Sequence, residues 1–166
     1  MESKSKIFGH PAHTILITFP LGLLSTSVVF DSIWTVTRKP KLAEASFWML
    51  VAGLVGGAVA APFGWWDWAF IPQGTRAKRI GRLHGWGNVL VLALFGGSAL
   101  LRRADQSSPS AAARGVSLAA GSLAGLTGWL GGELVDRLGV GVDNGANLDA
   151  PNSLTGKPAD AGEERS

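Results

Sequence analysis

The chain has 166 residues, 46% of them hydrophobic and 16% charged, with 23 glycines and no cysteine. An ordinary soluble domain is about a quarter charged, and the missing cysteine excludes disulfides, iron–sulfur ligation, thiolate metal sites and a cysteine nucleophile. The net charge of +3 fits basic loops against anionic lipid headgroups and gives no support to nucleic-acid binding.

Ile7–Phe30, Ala45–Trp66, Leu83–Leu101 and Gly115–Gly132 contain no Asp, Glu, Lys or Arg. A bilayer core of about 30 Å needs roughly 20 apolar helical residues, so the pattern predicts an all-α polytopic membrane protein, four transmembrane helices in an up-down bundle. A soluble bundle would show polar helix faces, and stretches such as Leu50–Phe63 and Val89–Leu101 have almost none. The short basic start with Lys4 and Lys6 leads into a run too long for a signal-peptide core, so the first segment reads as retained.

After an N-terminal segment, 1–9, the transmembrane domain is expected over 10–137. Helix one opens with Pro11 in its first turn and covers about 11–36; Arg38-Lys39-Pro40-Lys41 makes a basic turn. Helix two covers about 45–64 and is followed by a connection from Trp65-Trp66-Asp67-Trp68 to Ile71-Pro72-Gln73-Gly74. Thr75 caps helix three, about 75–102, and a Ser-, Pro- and Ala-containing linker precedes helix four, about 116–135. Residues 138–166, rich in Gly, Asn, Asp and Pro, read as a disordered tail. Small residues recur four apart, as in Gly53, Gly57 and Ala61 or Gly56, Ala60 and Gly64, and such faces let membrane helices approach closely.

Four alternating spans bring both termini to one side, here the N side. His10, His13, Asp67, His84, Glu133 and five tryptophans (Trp65, Trp66, Trp68, Trp86, Trp129) gather there, and only Trp34 and Trp48 fall opposite. Near the spans the N side carries Lys4, Lys6, Arg76, Lys78, Arg79, Arg82 and Arg137 against Arg38, Lys39, Lys41, Arg102, Arg103 and Arg114. This margin slightly favours a cytoplasmic N side in the inner membrane.

Helical periodicity aims the polar residues. His13 and Asp31 lie about five turns, roughly 27 Å, apart on one face, where Asp31 suits a helix-end hydrogen bond better than a proton relay. Arg76, Ile80, His84 and Asn88 form one stripe on helix three. His10 and His13 adjoin the positive end of the helix-one dipole, which disfavours imidazolium and leaves the nitrogens free to ligate. Helices one and three of an up-down bundle are parallel and diagonal, so their histidines are placed to hold opposite faces of a b-type haem, with His10, His13, His84 and Asn88 as the cofactor-binding set. Alternatively, His10, His13, His84, Asp67 and Glu133 supply nitrogen and oxygen ligands for a divalent metal, zinc or ferrous iron. The bland reading of the same residues is interhelical hydrogen bonding in a non-enzymatic scaffold or accessory subunit. A transporter comes third, because four spans form a narrow pathway and call for an oligomer. No catalytic triad or phosphate loop is present to support an enzyme class. The expected partners are the lipid bilayer and other membrane subunits or a redox protein.

Gly9-His10-Pro11-Ala12-His13, Phe19-Pro20-Leu21-Gly22, Gly64-Trp65-Trp66-Asp67-Trp68 with Ile71-Pro72-Gln73-Gly74-Thr75-Arg76-Ala77-Lys78, the His84-Gly85 to Asn88 segment, and Gly128-Trp129-Leu130-Gly131-Gly132-Glu133 occur in this order. Together, over roughly His10 to Val142, they resemble a bacterial family of four-helix membrane proteins, domain of unknown function twenty-two thirty-one. The resemblance implies the fold and no particular activity. Some members look like fusions to a Rieske-type domain, which implies redox company. The family pattern carries an aromatic residue and a histidine after Glu133, where this chain has Asp136 and Leu138.

Overall fold

The computed structural model describes residues 1–156. Four long helices form a bundle: α2 (Thr18–Thr37), preceded by the short α1 (Ala12–Leu16), then α3 (Pro40–Ala69), α4 (Arg76–Leu101) and α5 (Ala111–Gly132), closed by a π-helical turn, Glu133–Arg137. A two-stranded hairpin, β1 (Lys6–Ile7) and β2 (His10–Pro11), leads into α1.

Each boundary has a local cause. Pro20 has no N–H to give Leu16, which loosens the turn at Ile17. The Ile17 N–H still reaches the His13 carbonyl and the Leu21 N–H the Ile17 carbonyl, both at 3.0 Å, so α1 and α2 stay aligned. Arg38 ends α2 in the left-handed conformation (φ 55°), and Pro40 opens α3 at a position where its missing N–H costs nothing. Thr75 and Ser110 cap α4 and α5 by accepting from the Lys78 and Ala113 amides.

Three expected boundaries are corrected. Helix two extends five residues past Gly64, so Trp65-Trp66-Asp67-Trp68 is helical and not a connection; helices two and four also begin five residues before the expected 45 and 116. Charged and aromatic residues at headgroup depth interrupt an apolar run without interrupting the backbone ladder.

Helix α2 packs chiefly on α3 and α4 on α5, with α3–α4 and lighter α2–α5 contacts joining the pairs, so α2 and α4 lie on a diagonal. Leu24, Leu50, Val91, Phe95 and Ala120 form the mid-bundle core. Gly57 brings α3 onto α4: a Cβ there would lie 2.6 Å from Leu92 Cδ2. Phe19, Val36, Val55, Leu83, Leu100 and Leu126 point outward, an apolar exterior too extensive for water and suited to lipid. The segments Ala12–Thr37, Pro40–Ala69 and Arg76–Leu101 are long and apolar enough to cross a membrane; α5, of 22 residues, is richer in Gly, Ala, Ser and Thr.

Residues 138–156, expected as tail, form turns and contact the N-terminal segment; the rest of that expectation, residues 157–166, lies outside the described residues. The Gly141 amide donates to the Met1 carbonyl at 2.8 Å, and Lys6 Nζ bridges Glu2 at 3.1 Å and Asp143 at 3.2 Å. The Asn144 amide, helped by Lys6, holds the Glu2 carboxyl below the usual range. The Gly145 amide and Lys6 do the same for Asp143, and the two carboxylates raise the Lys6 ammonium. Depressed carboxylates stabilise the latch above their unfolded values and lose that contribution as pH falls through the folded ones. The raised lysine contributes below its unfolded value and loses its share as pH rises through the folded one. Amide-exchange protection of residues 1–11 and 138–146 is therefore expected to be flat between about pH 5 and 9 and to fall below about pH 4; loss between pH 5 and 8 would contradict the latch.

Candidate functional site

The first turn of α1 and the third turn of α4 carry His13 and His84 to the N-side end of the diagonal. Their ring centroids are 6.5 Å apart with planes at 87°. His13 Nδ1 lies 3.0 Å from the Ala60 carbonyl on α3, and His84 Nδ1 lies 2.8 Å from the Thr127 carbonyl on α5. A carbonyl only accepts, so in its neutral form each ring carries the proton on Nδ1 and the lone pair on Nε2. The Ala60 carbonyl is available because Gly64, four residues on, has no side chain: a Cβ there would stand 2.8 Å from His13 Cε1. Gly131 opens space for His84 in the same way, at 3.1 Å from Cε1.

Asn88, one turn after His84, is fixed at both ends of its amide. Its Nδ2 donates to the His84 carbonyl at 2.9 Å and its Oδ1 accepts from Thr127 Oγ1 at 3.0 Å. Asn88 Nδ2 is nearly equidistant from the two His84 ring nitrogens, 3.4 and 3.2 Å. Such a position lies over the ring face and leaves the in-plane Nε2 lone pair uncovered. Trp65 packs edge-on against Trp68 and Trp86, at centroid distances of 5.3 and 5.5 Å, and walls the α3–α4 side at headgroup depth.

The other residues singled out in the sequence stand apart. His10 is exposed on β2, with Nε2 3.3 Å from Ser153 Oγ. Asp67 accepts from Ser3 Oγ at 2.6 Å and from the Lys4 amide at 2.7 Å, fastening the N-terminal segment to the end of α3. Glu133 pairs with Arg76 Nη2 at 2.6 Å. Among the described residues no three His, Asp or Glu side chains gather as a metal-ligand group. Sequence reasoning gave no site role to Thr127, Gly131 or the Ala60 carbonyl, and Thr127 left little signal, because Ser117 and Ser122 lie in the same charge-free run.

The family model described as "Predicted membrane protein (DUF2231)" matches residues 9–144. The chain belongs to this family. The matched region contains α1 to α5, both interior histidines and the Asp67 anchor. No curated protein and no solved structure matches the chain. As a DUF2231 member with three helices long and apolar enough to cross a membrane, the protein sits in a lipid bilayer.

Proposed function

We propose that this DUF2231 bundle carries a redox cofactor, haem b, between His13 and His84. The observation that carries the reading is the pair of Nδ1–carbonyl bonds, which leaves two Nε2 lone pairs on rings 6.5 Å apart. Anchoring the second ring N–H on a backbone carbonyl is the usual support for a metal-ligating histidine. Two imidazoles reaching one metal from opposite sides, at metal–nitrogen distances of about 2 Å, would place their centroids roughly 6 to 6.5 Å apart. The chain's donor set therefore fits a two-imidazole iron, whereas a site built from His10, Asp67 and Glu133 would first have to break those residues' present contacts.

Haem b supplies one-electron transfer when bound. His13 and His84 would hold it, the Ala60 and Thr127 carbonyls orient their rings, and Asn88 fixes the His84 side against Thr127. In this reading the protein lies in the inner membrane with the N side toward the cytoplasm. Setting aside the buried Lys78 and Arg102, six basic side chains flank the spans on that side and five on the other.

The test is the absorbance of protein purified in detergent from haem-replete cells. A Soret band that shifts on reduction is expected, lost in both His13→Ala and His84→Ala and kept in His10→Ala. A colourless wild type, or colour retained in His84→Ala, would end the redox reading. The second reading rests on the same bonds, since His13 staples α1 to α3 and His84 staples α4 to α5. A colourless protein that both substitutions destabilise is a scaffold.

A further inference from the structure

A concave site, about 220 Å³, lies where α3 hands over to α4, lined by Trp68, Gln73, Gly74, Lys78, Arg79 and Arg82. Three of these six residues are cations and none is an acid. The nearby acids are engaged elsewhere, Asp67 by Ser3 and the Lys4 amide and Glu133 by Arg76.

The walls are held in place. Trp68 Nε1 donates to the Lys78 carbonyl at 3.1 Å. Lys78 Nζ returns to the Trp68 and Ala69 carbonyls at 2.8 and 3.1 Å and stands 4.0 Å from the centre of the Trp68 ring. Gly81 admits that ring, because a Cβ there would meet Trp68 Cδ1 at 2.6 Å. Gly74 turns with φ +79°, and its carbonyl accepts from Arg79 Nη1 at 3.3 Å. Arg82 is exposed and makes no ion pair among the described residues. Trp66 and Trp86, both more than half exposed, belong to the same ends of α3 and α4 and mark headgroup depth.

A fixed basic recess at that depth matches a phosphate oxygen fork, which arginine binds in a planar, bidentate manner. We propose that this recess binds the phosphate of an anionic phospholipid headgroup, with Arg79 and Arg82 as its principal donors. The proposal is independent of the histidine site.

Native mass spectrometry of the full chain released from nanodiscs of equal phosphatidylglycerol and phosphatidylcholine tests it. The wild type is expected to retain one phosphatidylglycerol with about tenfold or greater enrichment over phosphatidylcholine. Arg79→Gln/Arg82→Gln should bring that ratio near parity, and the control pair Arg103→Gln/Arg137→Gln should leave it unchanged. Both pairs are exposed, and unchanged thermal unfolding in phosphatidylcholine alone confirms folding. Equal losses in the two double variants would reduce the effect to general surface charge and overturn the site. A second arm adds inorganic phosphate to phosphatidylcholine nanodiscs. Stabilisation by free phosphate without phosphatidylglycerol enrichment would overturn the lipid source.

Discussion

Arg102→Ala is expected to destabilise the bundle by about 3–5 kcal/mol, the usual cost of breaking a buried ion pair from one side. Arg102 is wholly buried at the end of α4. Its Nη1 donates to Asp31 Oδ1 at 2.7 Å, its Nη2 pairs with the other Asp31 oxygen, and Nε and Nη2 reach Ser98 Oγ at 3.2 and 3.0 Å. Ser46 donates to Asp31 Oδ1 at 2.6 Å, and Ser98 donates to the Ala113 carbonyl of α5 at 2.8 Å. One charge pair thus ties together all four long helices at the end opposite the histidines. Alanine at 102 would leave the Asp31 carboxylate buried without its counter-ion. The paired replacement Asp31→Leu/Arg102→Met removes both charges together and should recover most of the loss, because the pair's own attraction scarcely exceeds its desolvation. Chemical unfolding followed by circular dichroism in one detergent measures all three chains. An Arg102→Ala protein within about 1 kcal/mol of wild type would show that the network carries little of the fold.

The second large effect falls on cofactor content. If His13 and His84 hold haem as proposed, Gly64→Ala should reduce its content to below a tenth of wild type, although alanine is the better helix former by about 1 kcal/mol. The added methyl would stand 2.8 Å from His13 Cε1 and 2.9 Å from Nδ1, so the ring must leave the Ala60 carbonyl. Gly131→Ala is milder, because the corresponding approach to His84 is 3.1 Å. Gly128→Ala meets nothing within 4 Å and serves as the control. Soret absorbance per protein ranks the three. Equal haem in Gly64→Ala and Gly128→Ala would show that the ring's placement does not govern ligation.

Membrane class and helix number were legible in the sequence because a bilayer imposes a length and a purity on each span; the first three long helices meet both, and the fourth, richer in Gly, Ala, Ser and Thr, completes the bundle. The diagonal placement of helices one and three followed from alternation alone, and the structure reproduces it in α2 and α4. Helix ends were less legible. The turns through Lys41 and Glu44, and through Trp65 to Trp68, are helical yet resemble loops to any rule that follows apolar residues.

Where a charge points was not written locally. Arg102 sits beside Arg103 and reads as one of two headgroup cations, but its partner Asp31 is 71 residues away on another helix. Only the closing of four helices puts one arginine inside and leaves its neighbour exposed. The N-side acids show the same limit. Chain alternation brought Asp67 and Glu133 to the histidines' end of the bundle. Contacts with Ser3 and Lys4 for the first, and Arg76 for the second, then engaged them away from the rings. Sequence by itself determined the lipid environment, the number of long helices and the end of the bundle at which each polar residue lies, since these depend on composition and order along the chain. Tertiary structure decided which of those residues face one another, because a hydrogen bond or ion pair depends on ångström-scale approach between distant segments.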